Sequence, residues 1–338
     1  MRLLDQVAQS RERLVVQRDD GQSFRLPSAR DFAAELSHVP LRLVLSDELT
    51  KTCTALAYSD GESLADCLDL VHLPAQRLWL EWNEMPRRAE LARCFPEWTV
   101  DPLANHALRA GLLIQCDSNS SGRRGTLRTF WSAPGAAEDP LVASLETRFD
   151  FDTPLPDASA VDGVFEGGYA GVIDGRCRGL DDLLECVRFR FAREWLEYYR
   201  VAANNVATRK AVLRASIETV ATDTPLLISL CLLMNSRSGL PTVASDLSRL
   251  NRARAKDGKL PLLEHVELKA PVFQPRTVAR SGTDFALHRQ GPRLHHVRGH
   301  LVRRASQLYW RSPHLRGHLA LGRIATRTVE LSAGNSLC

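Results

Sequence analysis

A proline-rich and then glycine-rich segment divides the chain into two parts that differ in hydrophobic pattern. Residues 152–179 contain Pro154, Pro156 and six glycines between Gly163 and Gly179. Before this segment, several stretches alternate apolar and polar residues, whereas after it apolar residues recur at helical spacing. Strands followed by helices, with strand patterns again near the end, are typical of the α+β class, and we therefore predict an α+β fold.

Four regions are predicted from this division. They are an N-terminal α+β region (1–160), a Gly-rich connector (161–179), a central helical region (180–258) and a β-rich, Arg- and His-rich C-terminal module (259–338). A length of 338 residues agrees with more than one domain.

The N-terminal region is predicted to contain strands at 41–46, 76–82 and 141–151. Segments 109–118 and 125–134 predict a β-hairpin, because the turn-rich sequence NSSGRRG between them favours a chain reversal. Large aromatic rings supply much of the burial that a domain core needs. We expect four tryptophans to anchor this core: Trp79, Trp82, Trp98 and Trp131.

The central region is predicted to be helical. Helical spacing covers 180–204 and 206–221, and the uniformly apolar segment 224–235 predicts a buried helix. One more helix is expected to begin at Ser245 as its N-cap and to end at Gly258.

The charge of the chain is unevenly distributed. Between Phe285 and Val329 there are nine arginines and six histidines, but no lysine and no acidic residue. Residues 285–338 carry a net charge of +8, whereas residues 1–284 carry −4. A strongly basic segment joined to a mildly acidic body favours a polyanionic partner. We predict nucleic acid, either DNA or RNA, as that partner; an acidic protein is the alternative, and no membrane partner is expected.

The basic segment contains a short repeat, in which HVRGHL at 296–301 recurs as HLRGHL at 314–319. Arg-Gly favours a turn, and the sequence VRRASQLYWRSP between the copies has the composition of a strand pair, which predicts two turns linked by a hairpin. Arginine binds phosphate bidentately, and aromatic rings stack on bases. The predicted nucleic-acid-binding residues of this segment are Arg298, His300, Arg303, Arg304, Trp310, Arg311, His314, Arg316 and His318.

A second basic surface is predicted shortly before this segment. Arg249, Arg252 and Lys256 lie at helical spacing on one face of the predicted helix, and Arg254 lies off that face. The face is either a solvated helix surface or a further contact for phosphates, and its closeness in sequence to the basic segment favours the second interpretation.

The histidine pairs of the repeat raise the question of a metal site. His296 and His300, like His314 and His318, are four residues apart, which would aim both rings in one direction on a helix. The glycine inside each pair argues against a helix. We therefore predict no metal ion and no other cofactor.

A nuclease is the main enzymatic alternative, so catalysis stays open at this stage. A predicted strand at 262–269 contains Glu267 and Lys269, an E-x-K pattern in which the carboxylate holds Mg²⁺ and the lysine assists the attacking water. Such a site needs a further carboxylate, from Asp246 or Asp257, brought near by the fold. A second route is metal-free RNA cleavage, with histidines of the basic segment as acid and base.

The cysteines and the N-terminus favour a cytoplasmic protein. The eight cysteines are at least nine residues apart, so the chain has no CxxC pair, and unpaired thiols are typical of a reducing compartment. The N-terminal residues lack the apolar core of a secretory signal. The longest apolar run, Pro225 to Met234, is about half of a bilayer span.

Two linked motifs resemble those of an uncharacterised family of phage and prophage proteins. LNRARAKDGKLPLLEHVEL (250–268) precedes HHVRGHLVRR (295–304) and YWRSPHLRGHL (309–319). The family shows N-x-x-R-x-K-x-GK-x-PL followed by VRGH-x-x-R…W…PH-x-RG, so the resemblance covers roughly residues 245–320. It implies a mobile-element origin and a bacterial host cytoplasm, but no particular activity. A phage structural or host-interaction protein is therefore a further alternative.

Overall fold

The computed structural model describes residues 1–59, 64–94, 107–132, 139–153, 166–167, 183, 185–203, 205–237, 239–271, 293–297, 299–305, 307–311, 314–316 and 318–323. Residues 1–270 form one compact unit and residues 271–338 form a second. The described residues have an α+β fold, as predicted.

The α-helices of the first unit are α1 (Leu3–Gln9), α2 (Ala29–Ser37), α3 (Asp47–Ser59), α4 (Glu84–Cys94), α5 (Arg193–Ala202), α6 (Val206–Val220), α7 (Asp223–Met234) and α8 (Ser248–Lys256), and a short 3-10 helix covers Leu68–Leu70. Its strands are β1 (Leu14–Gln17), β2 (Ser23–Leu26), β3 (Leu41–Leu45), β4 (Arg77–Asn83), β5 (Arg109–Cys116), β6 (Arg124–Trp131), β7 (Leu141–Val142), β8 (Leu145–Asp150), β9 (Glu166–Gly167), β10 (Val187–Phe191), β11 (Thr242–Ala244) and β12 (Val266–Leu268). The second unit contains β13 (Arg293–Val297), β14 (His300–Arg304), β15 (Gln307–Arg311), β16 (His314–Arg316) and β17 (His318–Arg323).

A ten-stranded mixed sheet forms the centre of the first unit. Its strand order is β11-β12-β3-β4-β5-β6-β8-β10-β9, with β7 paired to β6. Strand β3 is parallel to its neighbours β12 and β4, and the other neighbouring pairs are antiparallel. Strands β1 and β2 form a separate hairpin.

The predicted β5–β6 hairpin is confirmed. Strands β5 and β6 are antiparallel, with Cys116 opposite Gly125. The turn between them places Ser121 and Gly122 at positive φ, 50° and 76°. Gly122 is required there for a second reason, since a Cβ atom would lie 2.5 Å from the carbonyl oxygen of Leu73.

Both faces of the central strand β4 are buried, from Leu78 through Trp82. On one face, Trp79 packs with residues of α1, α2 and β6 in the main hydrophobic cluster. On the other, α7 is bonded to the sheet through Asp223 and Thr129. Trp79 and Trp82 are fully buried, as predicted, whereas Trp131 is half-buried and Trp98 lies outside the described residues.

The predicted helix at 180–204 is partly wrong, because its first half contains strand β10. The sequence VRFRF alternates apolar and charged residues, and Val187, Phe189 and Phe191 are buried. The alternation matches a strand that covers the core, and α5 begins only at Arg193.

The division into units also differs from the predicted regions. Strand β10 pairs with β8 across the 161–179 connector, and β11 and β12 extend the same sheet on its other side. Residues before and after the connector therefore belong to one unit, which ends at Ala270 rather than near residue 160 or 258.

Helices α6 and α7 confirm the predictions at 206–221 and 224–235. Every residue of α7 from Asp223 to Leu233 is buried. Residues 206–234 are long and apolar enough in composition to cross a membrane, but 78% of their most apolar window is buried inside the protein. A core helix has these same properties.

A buried polar network joins α4, α7 and the sheet. The Arg87 guanidinium is 2.8 Å from Glu84 Oε1 and 2.9 Å from Asp223 Oδ1, and it also lies over the Trp82 ring. Thr129 Oγ1 donates to Asp223 Oδ2 at 2.8 Å. Because desolvation outweighs the attraction of Arg87, and because Glu84 is close, the pKa of Asp223 is raised to about 6.

A third buried carboxylate, Glu81, fixes the start of helix α1. Its two oxygens accept the backbone N–H groups of Leu3 and Leu4, each at 2.9 Å. Arg109 lies 3.0 Å from the same carboxylate. A negative charge at a helix N-terminus is favourable, and here it positions α1 against β4.

Candidate nucleic-acid interface

The second unit contains an antiparallel hairpin formed by β14 and β15, in which His300 is opposite Arg311 and Arg304 is opposite Gln307. Side chains alternate between the faces of a strand, and directly opposite residues share a face. The polar face of the hairpin carries His300, Val302, Arg304, Gln307, Tyr309 and Arg311. The apolar face carries Leu301, Arg303, Leu308 and Trp310.

The apolar face includes the hairpin's buried contacts. Leu308 is 3% exposed, and Trp310 is half-buried, with an indole nitrogen that is inaccessible and has no acceptor among the described residues. Arg303 is exposed on this face, and its Nε donates to the carbonyl oxygen of Ala305 at 3.2 Å.

The polar face presents charge and an aromatic ring together. Arg304 and Arg311 are exposed, whereas His300 and Tyr309 are half-buried. The Tyr309 hydroxyl donates to Gln307 Oε1 at 2.6 Å, which orients the ring along the strand. Two guanidinium groups and one oriented ring therefore lie on the same side of the hairpin.

Tyr309 rather than Trp310 occupies the face of the exposed arginines Arg304 and Arg311. Trp310 is among the predicted nucleic-acid-binding residues, but the register places it opposite Leu301, on the apolar face. The sequence QLYWR already indicates which ring shares a face with Arg311. In a strand, residues two apart lie on the same face, and Tyr309 is two residues from Arg311.

Strands β14 and β15 are separated by two positions, of which the structure describes Ala305. Ala305 adopts a φ of +51°. Two-residue hairpin loops need positive φ values, because only those match the right-handed twist of the strands. The local geometry of the turn thus agrees with the predicted hairpin between the two repeats.

The two copies of the repeat lie at equivalent strand junctions. In the first copy, His296 lies near the end of β13 and His300 is the first residue of β14. In the second copy, His314 lies in β16 and His318 is the first residue of β17. Members of each histidine pair are therefore on different strands, which removes the helical arrangement that the metal alternative needs. Among the residues that the structure describes, no group of three His, Cys, Asp or Glu side chains is placed to hold a metal ion.

Two predicted residues of the basic segment remain, Arg316 and Arg298. Arg316 is exposed in β16, opposite His295 of β13. Arg298 lies outside the described residues.

The second predicted basic surface is the exposed face of α8, in the first unit. Arg249, Arg252 and Lys256 are all exposed. Arg254 lies off this face, as predicted, where its Nε donates to the carbonyl oxygen of Leu260 at 2.8 Å. On the same side of the helix, the Asn251 side chain accepts the N–H of Leu262 and donates to its carbonyl oxygen. These two bonds join α8 to the segment before β12.

The ends of α8 confirm one prediction and correct another. Gly258 ends the helix at a φ of +66°, as expected. The helix begins at Ser248 rather than near Ser245, and Asp246 Oδ1 accepts the Ser248 N–H at 3.1 Å. The Ser245 hydroxyl instead accepts the backbone N–H of His265 at 2.8 Å, which joins the loop before α8 to the loop before β12.

The carboxylates of the nuclease alternative are partly brought together. Asp246 and Glu267 both line one cleft of the first unit. Lys269 and Asp257 are not among the residues that line it, so the E-x-K pair is not completed there. This arrangement gives the nuclease alternative no support beyond the sequence pattern.

Comparison with known proteins identifies no relative of this chain. The chain matches no protein-family model, no curated protein and no solved structure.

Proposed function

We propose that this protein binds nucleic acid through the polar face of the β14–β15 hairpin. One observation carries the proposal: Arg304, Arg311 and the Tyr309 ring share one face, opposite the face that contains buried Leu308. Guanidinium groups bind phosphates through paired hydrogen bonds, and aromatic rings stack on unpaired bases. The hairpin offers both types of contact on one side.

The charge of the surrounding sequence supports the proposal. Residues 285–329 contain no acidic residue, so the segment has no carboxylate of its own to neutralise its nine arginines. Concentrated positive charge of this kind attracts the phosphate backbone without regard to base sequence.

The exposed face of α8 is proposed to give the first unit its own phosphate contacts. Arg249, Arg252 and Lys256 present three cationic groups over about two helical turns, and Arg254 and Asn251 fix the opposite side of the helix. This surface would add affinity but no base recognition, since it lacks an aromatic ring.

The motif resemblance supports a mobile-element setting for this activity. If the protein is of the phage or prophage type, the nucleic acid it meets is that of the element or of its bacterial host, in the host cytoplasm.

The hairpin variants test the proposal by fluorescence anisotropy with a labelled oligonucleotide at about 50 mM salt. The double change Arg304→Ala and Arg311→Ala should weaken binding to all base sequences by at least about tenfold, because two charge-assisted phosphate contacts are lost. Tyr309→Leu should weaken single-strand binding by about 1–3 kcal/mol and duplex binding much less.

Arg303→Ala is the matched control, because it removes one arginine from the opposite face of the same hairpin. It should weaken binding far less than Arg304→Ala. Equal losses for the two single variants would show that only net charge matters and would contradict the assigned face. Preferential binding of polyglutamate over any oligonucleotide would favour the acidic-protein alternative instead.

A further inference from the structure

Strand β1 has an open edge, with apolar residues in its middle and charged residues on both sides of it. It pairs with β2 on one side, and the two strands form a sheet of their own. Leu14 and Val15 are 41% and 56% exposed. Edge strands are normally protected against further pairing by a charged residue, a proline or a bulge within the strand. The sequence LVVQ of β1 contains neither a charge nor a proline, and its register with β2 has no bulge, so β1 can accept a further strand.

The hydrogen bonds of the hairpin show which backbone groups point outward. Opposite residues of an antiparallel pair alternate between hydrogen-bonded and non-hydrogen-bonded positions. Arg18, just after β1, donates its N–H to the carbonyl oxygen of Gln22 at 2.9 Å, so this pair is hydrogen-bonded. Gln17 and Val15, one and three residues earlier, are then at non-hydrogen-bonded positions. Their N–H and carbonyl groups point away from β2, and no other described residue bonds to them.

A second copy of β1 fits this edge in an antiparallel, two-fold symmetric pair. Outward-pointing residues must face each other across the new ladder, and they do so when Val15 lies opposite Val15 of the second copy. In the same register, Leu14 lies opposite Val16 of the second copy, and the symmetry repeats this contact. Directly opposite side chains share a face and pack against each other. The exposed apolar residues of the edge would therefore cover one another.

The charged residues that flank β1 are complementary in this register. Glu12 lies opposite Arg18 of the second copy, and Arg11 lies opposite Asp19 of the second copy. Two-fold symmetry forms each pair twice. The side chains of Arg11, Glu12 and Asp19 are exposed and form no ion pair among the described residues, whereas Arg18 is 2.9 Å from Asp20 of its own chain. Three of the four charges are thus available to a partner.

The two neighbouring registers are less favourable. With the axis at Val16, Glu12 would lie opposite Asp20, and two like charges would repel each other. With the axis at Leu14, Glu12 would lie opposite Val16, so its charge would have no counterpart. Backbone alternation, apolar packing and charge therefore all select the register with Val15 on the axis.

We infer that β1 pairs with β1 of a second copy of this chain, in an antiparallel arrangement with Val15 on the two-fold axis. Closed two-fold dimers are the commonest form of protein self-association. Two short strands bury less surface than a standard stable interface, so the dimer should dissociate in the micromolar range. The interface uses residues of the first unit alone, so the dimer does not depend on nucleic-acid binding.

Sedimentation velocity of the full chain over about 1–300 µM tests the inference, with a monomer–dimer equilibrium as the expected result. Val15→Lys places two like charges on the axis and should raise the dissociation constant of the dimer at least about tenfold. Val15 is exposed in the single chain, so the circular dichroism spectrum should not change. Val243→Lys is the matched control, because Val243 is 46% exposed in β11, the edge strand of the central sheet. A chain that stays monomeric up to about 300 µM, or equal losses in the two variants, would overturn the inference.

An exchange of charges tests the register itself. Glu12→Lys and Arg18→Glu should each prevent dimer formation when studied alone, because like charges then face each other at both symmetry-related pairs. A mixture of the two variants should form a mixed dimer, in which both of these pairs have opposite charges again. Recovery of a dimer in the mixture supports the assigned register. Two variants that dimerise as well alone as the natural chain, or that stay monomeric when mixed, would overturn it.

Discussion

At the residue scale, one buried arginine lies between two buried carboxylates. Arg87 contacts both Glu84 and Asp223, and all three side chains are at most 8% exposed. The two carboxylates share this one close guanidinium in a medium of low polarity, because Arg88 lies 3.9 Å from Glu84 and forms no ion pair with Asp223. One of the acids therefore holds its proton more tightly. Asp223, which is deeper than Glu84, is the one whose pKa rises to about 6.

This pKa predicts a pH dependence of stability that is opposite to that of most ion-paired acids. Because the folded-state pKa exceeds the ordinary value of 3.8, the contribution of Asp223 to stability is complete below about pH 4 and is lost as the pH rises through about 6. Between pH 4 and 7, the free energy of unfolding of the natural chain should therefore fall relative to Asp223→Asn, by roughly 2–3 kcal/mol.

Urea unfolding of both chains across this pH range measures the difference. Asp257→Asn, at an exposed position, should follow the natural chain at every pH. A constant difference between the natural chain and Asp223→Asn from pH 4 to 7 would contradict the raised pKa.

The residues of this network were not predictable from the sequence. Glu84 and Arg87 are three residues apart and suggest an ordinary surface pair on a helix. Their burial depends on Asp223, which is more than 130 positions away in the sequence. The same holds for Glu81, whose partners Leu3 and Leu4 lie 78 and 77 positions earlier in the sequence.

At the scale of elements, the β5–β6 turn contains a glycine, Gly122, that is constrained both by its backbone conformation and by a close backbone neighbour. Gly122→Ala combines a positive φ with a Cβ atom 2.5 Å from a backbone oxygen, so the turn or the Leu73 segment has to move. We expect it to lower the free energy of unfolding by about 2–4 kcal/mol. Chemical denaturation of the full chain measures this.

Gly239→Ala is the matched control for this substitution. Gly239 also has a positive φ, +60°, but a Cβ atom there meets nothing within 4 Å. It should cost only the backbone strain, about 1 kcal/mol. Equal losses for the two substitutions would show that the contact with Leu73 contributes nothing.

Local patterns predicted elements well where local chemistry decides the structure. The turn at 119–125 and the end of α8 at Gly258 depend on residues that favour positive φ, and both were predicted. Strand β10 was missed, because its short alternation is surrounded by residues with good helical spacing. It is a strand because it pairs with β8, and β8 lies before the connector in the sequence.

At the candidate site, too, local sequence patterns predicted the elements but not how they pair. Composition indicated an arginine-rich strand pair with aromatic rings, and the described residues contain that pair. Which ring accompanies the arginines depends on register, and a register is fixed only when two strands are paired.

At the scale of the whole molecule, the strand pairing of the sheet predicts which fragments of the chain can fold independently. Residues 1–270 contain all ten strands of the sheet, whereas residues 1–160 lack β9–β12 together with the core helix α7. A fragment of residues 1–270 should unfold in one cooperative thermal transition by circular dichroism. The 1–160 fragment should show none, because one side of β8 and one side of β3 are left unpaired. A cooperative transition in the shorter fragment would restore a domain boundary at the connector.

The dependence of nucleic-acid affinity on salt tests the central proposal most directly. Each phosphate neutralised by arginine or lysine releases condensed counterions, so about four to six contacts predict a slope of log K against log salt of roughly −3 to −5. Removing Arg304 and Arg311 together should flatten this slope by about one to two units, while Arg303→Ala leaves it nearly unchanged. Binding that is independent of salt, or no binding to DNA or RNA at about 50 mM salt, would contradict the account.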